Sequence, residues 1–209
     1  MEISVLRLGQ IDTNCYIFRA KDSKTCGIVD PGDQGEYLAA WLMGRGLEPE
    51  AVLLTHGHFD HILGIPGLRK EWPSLPVRCH PADLGEGDTA YIFGQSFPTV
   101  RSFGNVTPYR EGDVVTVAGC QLEVLETPGH TPGSVTLRSG EVLFTGDTLF
   151  AGSMGRTDLP GGDEARMMQS LRRLYELEGD YQVLPGHEGP SSLAQERMTN
   201  TCMRRAMRQ

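Results

Sequence analysis

The stretch Thr55-His56-Gly57-His58-Phe59-Asp60-His61 gathers four potential metal ligands within six residues. Imidazoles and a carboxylate packed this closely repel when protonated, and burying them without partners costs several kcal/mol. A bound cation removes both penalties. The apolar run Ala51-Val52-Leu53-Leu54 precedes them and reads as a short buried strand, which puts the ligands in the turn leaving its C-terminal end. On a helix, at ~100° per residue, positions 56, 58, 60 and 61 spread around most of the circumference. On a strand, His61 points away from the other three. A loop tightened by Gly57 can instead curl around a centre and offer two ligands to each of two ions.

Three more candidates follow apparent strands in the second half: His130 in Thr127-Pro128-Gly129-His130, Asp147 in Phe144-Thr145-Gly146-Asp147, and His187 in Leu184-Pro185-Gly186-His187. A glycine stands just before each, which frees the backbone to turn. Each ligand lies where strand becomes loop, the edge at which clefts form. Seven ligands exceed what one tetrahedral ion takes and suit two. A natural division gives His56, His58 and His130 to the first ion and Asp60, His61 and His187 to the second. Asp147, with two oxygens, can bridge them. Asp60, His61 and Asp147 are the candidate catalytic residues.

These ligands need a scaffold. Residues 2–8, 14–19 and 26–30 read as consecutive strands, the third ending in Asp30-Pro31-Gly32, where proline favours an extended Asp30. Asp30 is then a strand-end carboxylate, either an acceptor for the far nitrogen of a ligating histidine or a turn former. A helix is expected over 35–45, a second beginning at Ile62, and a strand at Val77-Arg78-Cys79. His80 stands alone and reads as structural. Residues 82–111 lack periodicity. The aromatic residues Tyr91, Phe93 and Phe97 there either wall a substrate cleft or pack over the core edge. Strands return at 113–118, 121–126, 134–138 and 141–145, followed by a helix over 163–177, strand 181–184, and a last helix capped by Ser191 or Ser192. This repeated strands-then-helix order points to two β layers face to face with helices outside.

The chain of 209 residues suits a single α/β domain and is long enough for a sizeable core. A net charge of −8 disfavours nucleic acid, and Arg204, Arg205 and Arg208 read as a solvated helix face. The start shows no signal-peptide pattern, and no run of 18 apolar residues occurs. Five scattered cysteines without CxxC spacing are expected as reduced thiols in a cytoplasmic protein.

The run Thr55 to His61, together with His130, Gly146-Asp147 and Gly186-His187, resembles the metallo-β-lactamase superfamily over nearly the whole chain. That resemblance implies a four-layer αββα sandwich and the same division of ligands. Lactamases of the commonest type carry cysteine at the position of Asp147 and no histidine at that of His61, and both departures argue against β-lactam hydrolysis. The full ligand set is similar to the glyoxalase II branch, the hydroxyacylglutathione hydrolases. The segment from Gly146 to Asp163 resembles its short bacterial members. The separate C-terminal helical domain of longer glyoxalase II enzymes has no counterpart in the 22 residues after His187, so one domain over 1–209 is expected.

The resemblance implies a thioesterase that cleaves S-acyl-glutathione-like thioesters with a metal-bridging hydroxide. Its ions would be two zinc, with iron or manganese also compatible. Its partner would be a small-molecule thioester, with no nucleic acid or membrane. Arg156 could hold a substrate carboxylate or pair with Asp158 or Asp163. The Gly155-Arg156-Thr157-Asp158 segment also resembles persulfide dioxygenases, for which His56, His130 and Asp147 would hold one iron. A third possibility is a scaffold that keeps its metals for stability alone. Glycine-rich loops at a cleft fit that poorly, because structural sites are closed.

Overall fold

The computed structural model describes residues 1–208. The chain opens with an antiparallel ribbon of β1 (Glu2–Leu8), β2 (Thr13–Arg19) and β3 (Thr25–Val29). Helix α1 (Gly35–Met43) then crosses to β4 (Glu48–Leu53), which runs parallel to β3. Two short helices, α2 (Phe59–Ile62) and α3 (Ile65–Glu71), lead to β5 (Val77–Cys79). A hairpin of β6 (Thr89–Ile92) and β7 (Gln95–Pro98) follows, and β8 (Val106–Pro108) returns beside β5.

The second half begins with the meander β9 (Val114–Val117), β10 (Cys120–Glu126), β11 (Val135–Ser139) and β12 (Val142–Gly146). The small ribbon of β13 (Leu149–Phe150) and β14 (Ser153–Met154), then α4 (Glu164–Tyr175), lead to β15 (Gln182–Pro185), parallel to β12. Strand β16 (Ser191–Ser192) and helices α5 (Leu193–Thr199) and α6 (Thr201–Ala206) complete the described chain. Among the described residues the main sheets are ordered β1-β2-β3-β4-β5-β8 and β16-β15-β12-β11-β10-β9.

Alternation along the strands explains the layers. In β2, Cys15 and Ile17 face one way, against Leu38 and Leu42 of α1 and Ile65 and Leu68 of α3. Tyr16 and Phe18 face the other way, against Leu122, Leu137 and Phe144 of the second sheet. Such strands are buried on both faces and read as continuous apolar runs. The outer face of the second sheet, Leu143 and Val183, packs on Met167, Leu171 and Leu174 of α4 and Met203 of α6. The order is helix, sheet, sheet, helix, as expected. Truncating one of the fully buried leucines would cost about 2–5 kcal/mol.

Three local expectations need correction. Asp30 is not extended before its proline but left-handed, with φ of 51°. Aspartate tolerates that region, and its carboxylate is fixed there by Thr55 and His61. The aperiodic region contains a two-residue hairpin loop, Phe93-Gly94, with both φ angles positive at 51° and 80°. That loop type favours asparagine-glycine, so phenylalanine hid the turn. The C-terminal helix is two helices, broken at Asn200, whose side-chain oxygen caps the second by accepting from the N–H groups of Cys202 and Met203. Ser192 caps the first.

Candidate metal centre

The seven candidate ligands approach from both halves of the sandwich. Strand β4 delivers His56 and His58 directly after its end. Asp60 and His61 ride on α2, which follows His58 at its N-cap, so the candidate ligands are shared between loop and helical turn, not held by a loop alone. From the second sheet come His130 after β10, Asp147 after β12 and His187 after β15. Gly146 takes φ of 48°, a turn that glycine accepts readily. Gly186 has another reason: a Cβ there would lie 2.2 Å from Asp147 Oδ1 and 2.8 Å from His61 Cε1.

The side chains meet as two trios, His56, His58 and His130, and Asp60, His61 and His187, with a third group, His56, His61 and Asp147, overlapping both. Ligand atoms within each trio lie within 4.8 Å of one another. His58 Nδ1 and His130 Nε2 are 2.8 Å apart. In the other trio Asp60 Oδ2 is 3.4 Å from His61 Nε2 and 3.2 Å from His187 Nε2. Asp147 stands between: its Oδ2 is 3.4 Å from His130 and 3.5 Å from His187, and its Oδ1 is 3.5 Å from His61.

Four of the five histidines, all but His58, are aimed by their other ring nitrogen. His61 Nδ1 donates to Asp30 Oδ2 at 3.0 Å, and His56 Nδ1 contacts the Thr55 hydroxyl at 3.1 Å, which itself donates to Asp30 Oδ2 at 2.6 Å. The Thr55 N–H donates to Asp30 Oδ1. One buried carboxylate therefore fixes a histidine of each trio. The backbone does the rest: His130 Nδ1 donates to the Arg156 carbonyl at 2.7 Å, and His187 Nδ1 to the Ile11 carbonyl at 3.3 Å. Such contacts set which nitrogen faces a metal.

The trios differ in charge. Burial, and then the neighbouring imidazoles, push His56 well down, and burial with His130 beside it lowers His58 to about 3. Burial also opposes charge on His61, but Asp60, Asp30 and Asp147 overcome it and raise that ring to about 10. For Asp60, burial works upward, yet His61 and His187 hold the carboxyl below its ordinary range. Burial thus favours the neutral form of His56 and His58, while the carboxylates around His61 favour positive charge there.

Chemistry and orphaned atoms agree on a cation. Among the described residues, four buried side-chain polar atoms have no hydrogen-bond partner, and three of them are His56 Nε2, His61 Nε2 and Asp147 Oδ1. Unpaired buried polar atoms are costly, and His56, His61 and Asp147 form a group whose ligand atoms lie within 4.8 Å of one another. The nitrogen and oxygen donor set accepts several divalent metals.

Two elements that the sequence did not flag brace the site. Asp83 accepts hydrogen bonds from the Gly57 N–H at 3.0 Å, the Gly133 N–H at 2.7 Å and the Thr131 hydroxyl at 2.6 Å, tying the His56–His58 loop to the His130 loop. Asn14 Nδ2 donates to the carbonyls of Pro185 and Glu188 on either side of His187. Neither carries a local signal, since a lone Asp or Asn in a turn is ordinary. His80, read as structural, is so: it caps a short turn through the Ala82 N–H and contacts Glu126 at 3.0 Å.

Residues 8–187 match the sequence profile of the metallo-beta-lactamase superfamily. The chain belongs to that superfamily. As a metallo-β-lactamase-fold chain it is similar to the hydroxyacylglutathione hydrolase GloC of Haemophilus influenzae, with 30% identity covering 96% of this chain and 97% of that one. A probable metallo-hydrolase of Bacillus subtilis, YqgX, is 35% identical, covering 88% and 89%. Among solved structures, the BLEG-1 B3 metallo-beta-lactamase superposes with a TM-score of 0.85 at 33% identity, covering 97% and 99%. ETHE1 from Myxococcus xanthus gives 0.80 at 28%, covering 96% and 84%. TTHA1623, solved in a di-iron-bound form, gives 0.78 at 36%, covering 95% and 98%.

A cavity of about 380 Å³ opens over the trios, with His58, Asp60, His130, Asp147 and His187 in its floor. Phe93 and Arg156 also line it, whereas Tyr91 lines a neighbouring cavity across the hairpin. Arg156 is paired with Asp158 through two contacts of 2.7 Å, the ion-pair alternative of the sequence reading.

Proposed function

We propose that the protein is a dinuclear metallohydrolase acting on thioesters, of the glyoxalase II type. The observation that carries this reading is the position of Asp147, with one carboxylate facing both trios. His56, His58 and His130 would hold one divalent cation, and Asp60, His61 and His187 the other. When bound, such a pair supplies an activated water near neutral pH and a Lewis acid for the acyl carbonyl.

The chain's own residues set the rest. Asp147, lying between the trios, would help to hold both ions. Asp60 and His61 lie on one helical turn, Asp60 in the cavity floor and His61 fully buried. Asp30 keeps His56 and His61 turned so that Nε2 faces inward. A thiolate, whose acid has pKa about 8.5, leaves without a strong general acid, and the histidines of the floor are committed as ligands. That suits thioesters better than amides.

Elemental analysis of protein purified without added metal, followed by an S-lactoylglutathione assay, tests this. Near two metal ions per chain and thioester cleavage abolished by chelation are expected. Protein holding two ions that leaves a broad panel of acyl-thioesters intact overturns it. Similarity to ETHE1 keeps a persulfide dioxygenase as the second reading, and one iron per chain with thiol-dependent oxygen uptake would establish it. Because a B3 metallo-β-lactamase is also similar, Asp147 and His61 separate this chain only from the commonest lactamases, so nitrocefin belongs in the panel.

A further inference from the structure

The cavity above the trios has an apolar wall that the hydrolytic chemistry does not require. Ile11, Ile92, Phe93, Phe150, Met154 and Leu159 surround a floor of ligands. Two of them project into solvent at its mouth, Ile11 at 53% exposure and Phe93 at 66%, with Tyr91 at 77% on the same hairpin. Exposed apolar side chains gathered at one cleft mark a place where something apolar binds.

Backbone strain at the same spot is a separate observation. Phe93 is the first residue of a two-residue hairpin loop and sits at φ of 51°. Asparagine, aspartate or glycine is favoured there, and a phenylalanine at positive φ is strained. The ring gains little inside the protein in return, since most of it is exposed. The hairpin itself is anchored: Phe97 stacks on Phe59 of α2 at 4.1 Å and 18°. Phe93 is therefore held over the ligand helix by packing at the base of the hairpin. The Arg156 guanidinium lies 6.0 Å from its ring but is already matched by Asp158.

We infer that this wall recognises an apolar acyl arm, with Phe93 as the specificity-determining residue, so that the preferred substrates are thioesters of aliphatic or aryl acids of several carbons instead of short hydroxyacids. This rests on the thioesterase reading. Each methylene buried against the wall contributes about a three- to fourfold gain.

The test uses zinc-loaded full-length protein and acyl groups of increasing length on one thiol: S-lactoyl-, S-acetyl-, S-butyryl- and S-hexanoylglutathione. S-alkylglutathione thioethers, which cannot be cleaved, report binding alone by calorimetry. The expected result is kcat/KM rising about threefold per methylene, with the same trend in thioether affinity. Both trends flatten in F93N, whose melting temperature stays level or rises because asparagine suits the turn. A flat series, a preference for S-lactoylglutathione, or an F93N variant with the wild-type slope overturns the inference. If no thioester is cleaved, the thioesterase reading falls, and the thioether series alone decides whether the apolar arm is recognised.

Discussion

Asp30 braces the site without being one of the candidate ligands. Its carboxylate takes the Thr55 N–H, the Thr55 hydroxyl and the His61 ring N–H, so it sets the aim of a histidine in each trio. Replacing it by asparagine puts an NH₂ where an acceptor is needed. D30N is expected to bind zinc about 10–100-fold more weakly, read by competition with a chromogenic chelator, and unchanged affinity would refute the role. The thiols give a second prediction at this scale. Burial raises the pKa of Cys15, Cys26, Cys79 and Cys120, while Cys202 is half-buried on α6. Thiolates are the reactive form. Iodoacetamide under native conditions should therefore label Cys202 first, as read by peptide mass spectrometry; early labelling of Cys15 or Cys79 would contradict this burial.

Elements meet at the site through polar braces. Asp83 fastens the His56–His58 loop to the His130 loop with three hydrogen bonds. Removing its side chain leaves those donors without their acceptor, at a cost of about 1–3 kcal/mol. D83A should lower the urea midpoint accordingly and lose metal from the first trio before the second. D83N, which keeps one acceptor, should fall between, and equal loss from both trios would argue for general destabilisation. Asn200 plays a similar part, joining α5 to the β13–β14 ribbon through the carbonyls of Phe150 and Ser153. N200A should cost about as much, and a melting point within error of wild type would show that cap to be dispensable.

At the scale of the whole molecule, the two sheets are held together by the inter-sheet core and would be clamped again by any shared metal pair. His56, His58, Asp60 and His61 belong to one half of the sandwich, and His130, Asp147 and His187 to the other. Metal binding therefore couples the halves. Ions held a thousandfold above their Kd add about 4 kcal/mol. In a chain of this size that is roughly 10 °C of melting temperature, to be lost on chelation and restored by zinc; a melting curve indifferent to chelation would contradict the clamp.

Residue chemistry alone singled out the seven side chains that the fold brings together, because three histidines and an aspartate in one short run, with further polar residues at strand ends, have few other uses. The two layers were also legible, since strands buried on both faces leave unbroken apolar runs such as Ala51 to Leu54. Only the tertiary structure decided that Asp30 serves two histidines, that Asp83 and Asn14 brace distant loops, and that Phe93 overhangs the floor. Those contacts join residues far apart in the chain, and a hydrogen bond between distant loops leaves no trace in local periodicity.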